Sequence, residues 1–327
     1  MYTKLVLAAT TALALALPAA AETLRLSHNV GDTTTWQQGA EKFGELQAAE
    51  TGGAYDVRVF PNAQLAGGDQ MKQAEMTGRG AIDLVLTSAI NVTPLAPEMA
   101  AFSLPYLYAD YAAVDRTTQG AAGDKMEEIM AGHGIKVLAW GENGFREVTN
   151  SKRPIKTPAD MAGLKMRVAG PMYIDVMTDL GANPQQMQWS ETFPALQQGV
   201  VDGQENAWSN IYGQKFYEVQ DGTTETNHGV LDYLVVASVD WLDSLDPAVK
   251  DQMLTILNEV TVERNGAVND VDMAARQSIL DAGGKIVELD DAQRQAWVDA
   301  MKPVWAQFAE GVGQENIDAA QAINEKH

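Results

Sequence analysis

Thr157-Pro158-Ala159-Asp160-Met161-Ala162-Gly163-Leu164-Lys165-Met166-Arg167-Val168 is the stretch from which the rest of this chain can be read. Thr157 is an N-cap candidate, Pro158 sits at a first helical position and Asp160 falls in the first turn. Gly163 ends that short helix. Leu164, Met166 and Val168 then alternate with Lys165 and Arg167, the pattern of a half-buried strand. Ala169-Gly170-Pro171 breaks it, so Arg167 lies near the strand's end. A guanidinium held there is a rigid fork suited to a carboxylate.

Outward from this stretch the chain alternates strands and helices. Thr23 to Leu26 reads as a strand ending near Ser27-His28-Asn29, followed by a helix from about Thr34 to Glu50 and a strand from Tyr55 to Phe60. That βαβ opening predicts a largely parallel sheet, with ligands beyond the carboxyl ends of its strands. A helix over 70–78, a strand over 82–86, one helix over 110–132 and a strand over 135–140 follow. Gly141 and Gly144 allow a bend, which marks a crossing between two lobes. Ser190 is expected to cap a further helix, Asp202-Gly203 to turn, and Tyr233 to Ser238 to form a buried strand. A helical pattern from Pro247 to Leu280 would reach about 50 Å at ~1.5 Å per residue, the span of a two-lobed molecule. Trp297, Met301, Trp305 and Phe308 stand at near-helical spacing, as core packing does.

Composition narrows the function. Lys4 followed by the apolar run Leu5 to Leu17 and Ala19-Ala20-Ala21 has the form of a secretory signal peptide, residues 1–21. The run is too short for a membrane span. Cleavage before Glu22 removes one of 23 basic residues and none of 44 acidic ones, leaving 22 − 44 = −22. Such a charge disfavours nucleic acid and anionic membranes as partners. There are no cysteines and four histidines, which removes thiol catalysis and argues against zinc. No HExxH, GxSxG or P-loop pattern occurs.

Many short motifs in order make the chain resemble the extracytoplasmic solute-binding subunits of TRAP transporters, the DctP-type family. They include Pro61-x-x-Gln64-Leu65, Leu104-Pro105-Tyr106, Gly144-x-Arg146, Asp160-x-x-Gly163-Leu164-Lys165-x-Arg167-Val168 and Ala195-Leu196-Gln197. Val201-Asp202-Gly203-Gln204-Glu205-Asn206, Gln214 to Gln220 and Thr226-Asn227-His228 complete the set. The resemblance covers nearly the whole mature chain. It implies a two-lobed, periplasmic-binding-protein-like α/β fold with a long helix spanning both lobes. The expected lobes are 22–143 plus 232–271, and 144–231 plus 272–327. It also implies a monomeric periplasmic protein, not an enzyme, without cofactor or metal, that closes on a small organic acid and delivers it to a membrane permease pair.

In this family the residue matching Arg167 grips the ligand carboxylate and Arg146 matches a second, more variable arginine. Asn206 and Asn29 match polar contacts, while Ser88 and Trp189 stand where a polar contact and an aromatic wall belong. Trp208 adds bulk unsuited to sialate, Lys165 stands where ectoine binders carry tryptophan, and the Glu-Trp metal pattern is absent at Glu205-Asn206. Glu142 is a further candidate contact. A C4-dicarboxylate suits two arginines; a uronate, another sugar acid or a monocarboxylate suits one arginine with tryptophan walls. Glu142 and His28 would be acid and base in the rival reading, an exported enzyme acting on a small acid. The net charge does not forbid an anion, since salt screens it beyond ~8 Å.

Overall fold

The computed structural model describes residues 21–324; the expected signal peptide, apart from its last residue, lies outside them. In chain order the strands are β1 (Glu22–His28), β2 (Tyr55–Phe60), β3 (Leu84–Thr87), β4 (Ile135–Phe145), β5 (Glu147–Asn150) and β6 (Lys165–Val168). They continue with β7 (Asn183–Gln186), β8 (Gly203–Asn206), β9 (Gly222–Glu225), β10 (Val230–Ser238) and β11 (Ile286–Glu288). Two sheets result, one in the order β2-β1-β3-β10-β4 and one in the order β11-β9-β5-β8-β6-β7. The molecule is a two-lobed α/β protein with one sheet in each lobe.

The parallel expectation holds for β1, β2 and β3. It fails for β10, which runs antiparallel to both β3 and β4. β10 arrives from the other sheet after β9 and not through a crossover helix, so the handedness argument for βαβ units does not govern it. Its nine residues are all buried, as an apolar run between two neighbours should be. Pro184 sits in β7, an edge strand, where a missing N–H costs no ladder bond.

The chain passes from the first sheet to the second between Phe145 and Glu147, and returns between Glu225 and Val230. The helix Pro247–Asp281 is 35 residues long and packs on the helix Thr35–Glu50, on β4 and on the helix Trp208–Gly213. The tail fastens to both halves. Trp305 Nε1 donates to Pro105 O at 2.8 Å and Trp297 Nε1 to Lys156 O at 3.2 Å, and both rings are buried in the largest apolar cluster. Among the described residues no helix is long and apolar enough to cross a membrane.

Several local expectations needed adjustment. Ser190, expected to cap a helix, is the second residue of the helix Trp189–Gln197, whose N-cap is Gln188, and the strand expected to end at Trp140 runs on to Phe145. The expected helix over 110–132 is two helices, Tyr111–Thr118 and Ala121–Gly132, broken at Gly120. The segment Pro158–Met161 is a 3-10 turn, and Gly163 takes φ 74° as its stop. There the Asp160 carboxylate reaches back to accept from the Lys156 and Thr157 N–H groups at 2.9 and 2.8 Å. Asp202 is no free turn residue: its carboxylate accepts from Lys165 N at 2.9 Å and fixes the start of β6 beside β8.

Candidate functional site

The carboxyl ends of β1, β3, β6 and β8 converge on one small cavity. Asn29 follows β1, Ser88 follows β3, Arg167 is on β6 and Asn206 ends β8; Arg146 joins β4 to β5, and Trp189 opens the helix Trp189–Gln197. All six line the cavity. Parallel pairing of β6 with β8 sets Arg167 beside Gln204, which puts Asn206 two residues farther toward the open end.

Arg167 is 1% exposed, so of the strand face expected to be polar Lys165 stays half-buried while Arg167 is as buried as the apolar residues. Its Nε donates to Met187 O at 3.0 Å, which orients the fork, and the guanidinium lies 6.0 Å from the Trp189 ring centroid. Nη2 is buried without a partner. Burial lowers the Arg167 pKa to about 10; Glu205 opposes that shift and nearby Arg146 adds to it. A buried guanidinium lacking its counter-charge is stabilised by any anion that reaches it.

Arg146 is held differently. Its Nη1 pairs with Glu205 Oε2 at 2.5 Å, with side chains 1% and 0% exposed, and its guanidinium stacks 4.9 Å from the Tyr173 ring centroid. Burial is the largest single influence and pulls its pKa down, but the charge and hydrogen bond of Glu205, with Tyr173 and Asp232, together raise it above the ordinary value. His228 Nε2 stands 3.7 Å from the same Glu205 oxygen, and burial lowers its pKa, so the imidazole is neutral at pH 7. Arg146 Nε and Nη2 remain buried and unpartnered.

Other unpartnered groups lie around the same space. Ser88 Oγ and Trp189 Nε1 are buried without a well-formed hydrogen bond, as are the acceptors Asn210 Oδ1, Glu205 Oε1 and both oxygens of Asp232, a carboxyl that burial pushes up to about 7 beside Arg146 and Ser88. Asn206 Oδ1 accepts from Asn210 Nδ2 at 2.7 Å, so a bound molecule would meet its amide donors. Asn29 is already committed: its Nδ2 donates to Asn91 Oδ1 at 2.8 Å and its Oδ1 accepts from Gln73. It positions Asn91, whose Nδ2 reaches Ala169 O at 3.3 Å.

Two expected contacts fall elsewhere. Trp208 does not line this cavity; it packs in an apolar cluster with Trp189 and Phe216, 5.9 Å from the Arg276 guanidinium. The turn from β8 into the helix Trp208–Gly213 directs its indole to the core. Glu142 borders a second cavity, because β4 is bulged at Asn143, where the register against β10 skips a residue. His28 lines neither cavity, its Nε2 lying 2.7 Å from Gln37 Oε1. Sequence reading missed Gln70, Asn91, Asn210 and Tyr233, all of which line the site. They are neutral residues with no periodicity of their own.

The profile of the bacterial extracellular solute-binding proteins, family 7, known as DctP, matches residues 26–311. The chain belongs to this family. It is 45% identical over 278 residues to the C4-dicarboxylate-binding periplasmic protein DctP of Vibrio cholerae, covering 85% of this chain and 83% of that one. Among solved structures, a TRAP periplasmic solute-binding protein from Shewanella oneidensis with bound succinate superposes with a TM-score of 0.89. It shares 38% identity, covering 93% of this chain and all of that one. The sugar acid binding protein DctPAm from Advenella mimigardefordensis, in complex with galactonate, also gives 0.89, at 27% identity, covering 94% and 98%. As a DctP-family protein the chain is thus a solute-binding protein of the TRAP type, with the two-lobed fold of its relatives.

Proposed function

We propose that this protein captures a small organic acid in the periplasm, a C4-dicarboxylate by preference, and delivers it to the membrane subunits of a TRAP transporter. Arg167 is the carboxylate clamp, Arg146 the partner of a second carboxylate or hydroxyl, and Asn206, Ser88 and Trp189 orient the ligand. The observation that carries this reading is a set of buried donors without partners on residues around one small cavity. They are Arg167 Nη2, Arg146 Nε and Nη2, and Trp189 Nε1. Buried polar atoms are normally satisfied, so donors gathered this way call for an acceptor-rich guest. A carboxylate is that guest.

The ligand is held between the two expected lobes, 22–143 plus 232–271 and 144–231 plus 272–327, and binding is their closure. The leader over residues 1–21 supplies export. Binding without turnover is supported by the places of Glu142 and His28, neither of which lines the acid cavity. A hydroxylated acid, such as a sugar acid, is the second reading. It is favoured by the unpartnered acceptor Asn210 Oδ1, which suits a ligand hydroxyl, and by the Arg146–Glu205 pair, which leaves Arg167 as the uncompensated cation.

Calorimetric titration with succinate, malate, fumarate, galactonate and glucuronate tests both. Saturable binding of the C4-dicarboxylates with weaker or absent sugar-acid binding supports the first reading; the reverse order selects the second. No binding by any acid of the panel, or turnover of one, rejects both.

A further inference from the structure

A second, larger cavity lies between the helix Thr35–Glu50, the long helix Pro247–Asp281 and residues of β1, β3, β4 and β10. Leu26, Phe43, Leu86, Val235, Leu257 and Val260 make most of its lining apolar. At one end the bulge at Asn143 turns two consecutive residues of β4 to the same space. Both carry a buried atom without a partner: Glu142 Oε1 and Asn143 Nδ2, on residues 7% and 3% exposed. Their neighbours are spoken for. Asn265 Oδ1 accepts from the Glu142 backbone N–H at 3.0 Å, Asn143 Oδ1 from Trp36 Nε1 at 2.5 Å, and Arg264 donates to Thr35 O at 2.6 Å.

An apolar chamber with one carboxyl and one amide left over describes a ligand: an apolar body bearing a group that both donates and accepts. A hydroxyl does both. Burial, reinforced by Asp115 and Asp110, pushes the Glu142 carboxyl up to about 8, so at neutral pH this end carries little charge and suits an uncharged head. The chamber also touches the organic-acid site through its wall. Trp36 lines it, Tyr233 lines the acid cavity, and their ring centroids are 3.7 Å apart. Ser209 and Asn210 are divided between the two cavities in the same way.

We propose that this chamber is a second binding site, for a small neutral alcohol or phenol with an apolar body, coupled to the organic-acid site through the Trp36–Tyr233 contact. A guest braces Trp36 against Tyr233 and so favours the arrangement that holds the acid. Reciprocity requires the acid to tighten the guest's binding by the same factor.

The probe is p-cresol, titrated calorimetrically into acid-free protein so that the result stands whichever acid the first site takes. Saturable binding is expected, about fivefold tighter than that of toluene, which lacks the hydroxyl. In methyl-labelled protein the shifts should fall at Leu26, Leu86, Leu257 and Val260. Gly39→Leu, where a Cβ meets only Arg264 at 3.8 and 3.9 Å, should block the probe by filling space. Saturating p-cresol should tighten the best acid of the panel about fivefold. The proposal is overturned if p-cresol does not saturate, as in a chamber that holds only water, or if it binds no better than toluene. Methyl shifts that map elsewhere, a folded Gly39→Leu protein that binds as before, or an unchanged acid affinity also overturn it. Should Gly39→Leu not fold, the methyl map on the unaltered protein decides.

Discussion

The Gln70 side-chain carbonyl accepts the backbone N–H of Trp189 at 3.1 Å, and the Gln70 backbone N–H donates to Gln188 Oε1 at 3.1 Å. Gln70 begins a helix beside the first sheet, and Gln188 and Trp189 begin one beside the second, so the pair ties the two halves across the cavity. Each neutral hydrogen bond of this kind is worth ~0.5–1.5 kcal/mol net. Gln70→Ala is therefore expected to weaken acid binding roughly 3- to 10-fold, mostly through a faster off-rate. Stopped-flow fluorescence of the tryptophans measures both rates. The backbone bond to Gln188 survives in this variant, so an unchanged off-rate would mean that the Gln70 side-chain bond to Trp189 does not hold the two halves together.

Arg167→Ala removes the cavity's guanidinium that has no carboxylate in an ion pair with it, since Arg146 is paired with Glu205. A bidentate charge-assisted contact contributes ~3 kcal/mol, so affinity should fall about 100-fold or more. Arg167→Lys should recover little, since an ammonium cannot reproduce the fork, nor can it both keep the Met187 carbonyl and grip a planar acid. Titration calorimetry with the best acid reads both variants. Near-native affinity in Arg167→Ala would remove the clamp from the account.

Glu205 differs from its neighbour Asn206 in what it can be tested for. It is fully buried against Arg146, and its carboxyl pKa lies below the ordinary range because Arg146 and His228 outweigh the burial that raises it. Glu205→Gln leaves Arg146 buried without its counter-charge, which should cost roughly 3 kcal/mol or more of folding stability. Urea unfolding measures it. The sign follows from linkage: a depressed carboxyl pKa contributes stability above its unfolded value, and that contribution is lost as pH falls through the folded one. The deficit of Glu205→Gln should thus shrink in acid.

How much of this was legible beforehand depended on the kind of signal. Strand ends are written in local alternation, so Arg167, Asn29 and Ser88 could be placed at such ends, and the helix from Pro247 was visible from its length of pattern. Asn206 is marked by the family resemblance alone, since β8 carries no alternation that points to it. The bulge at Asn143 has no such mark, and it alone turns Glu142 away from the acid cavity. Trp208 misled because an aromatic two residues after a site residue reads equally well as wall or core. The role of Glu205 depends on Arg146, 59 positions away, a separation that no window of spacing spans. The commitment of Asn29 to Gln73 and Asn91 was invisible for the same reason.

Asp272 offers a test of the crossing itself. It lies on the long helix beside Gly144, whose φ of 135° and lack of a Cβ let the carboxylate approach: an added Cβ would sit 2.0 Å from Asp272 Oδ2. The same carboxylate accepts from Ser209 N at 2.9 Å, yet burial dominates and pushes its pKa up to about 7 from an ordinary 3.8. The folded protein then binds the extra proton between those values. Stability from this group is greatest below pH ~4 and declines as pH rises to ~7, above which the penalty is constant. Asp272→Asn keeps an acceptor for Ser209 and cannot ionise. Its stability relative to the unaltered protein should climb between pH 4 and 7, by ~1.4 kcal/mol per pKa unit at most, and level off at pH 8. Urea unfolding at pH 4, 5.5, 7 and 8 measures the difference. A gap that stays constant with pH would show that Asp272 is ionised throughout. A Gly144→Ala chain should be destabilised at every pH, since both its backbone angle and its missing volume are required there.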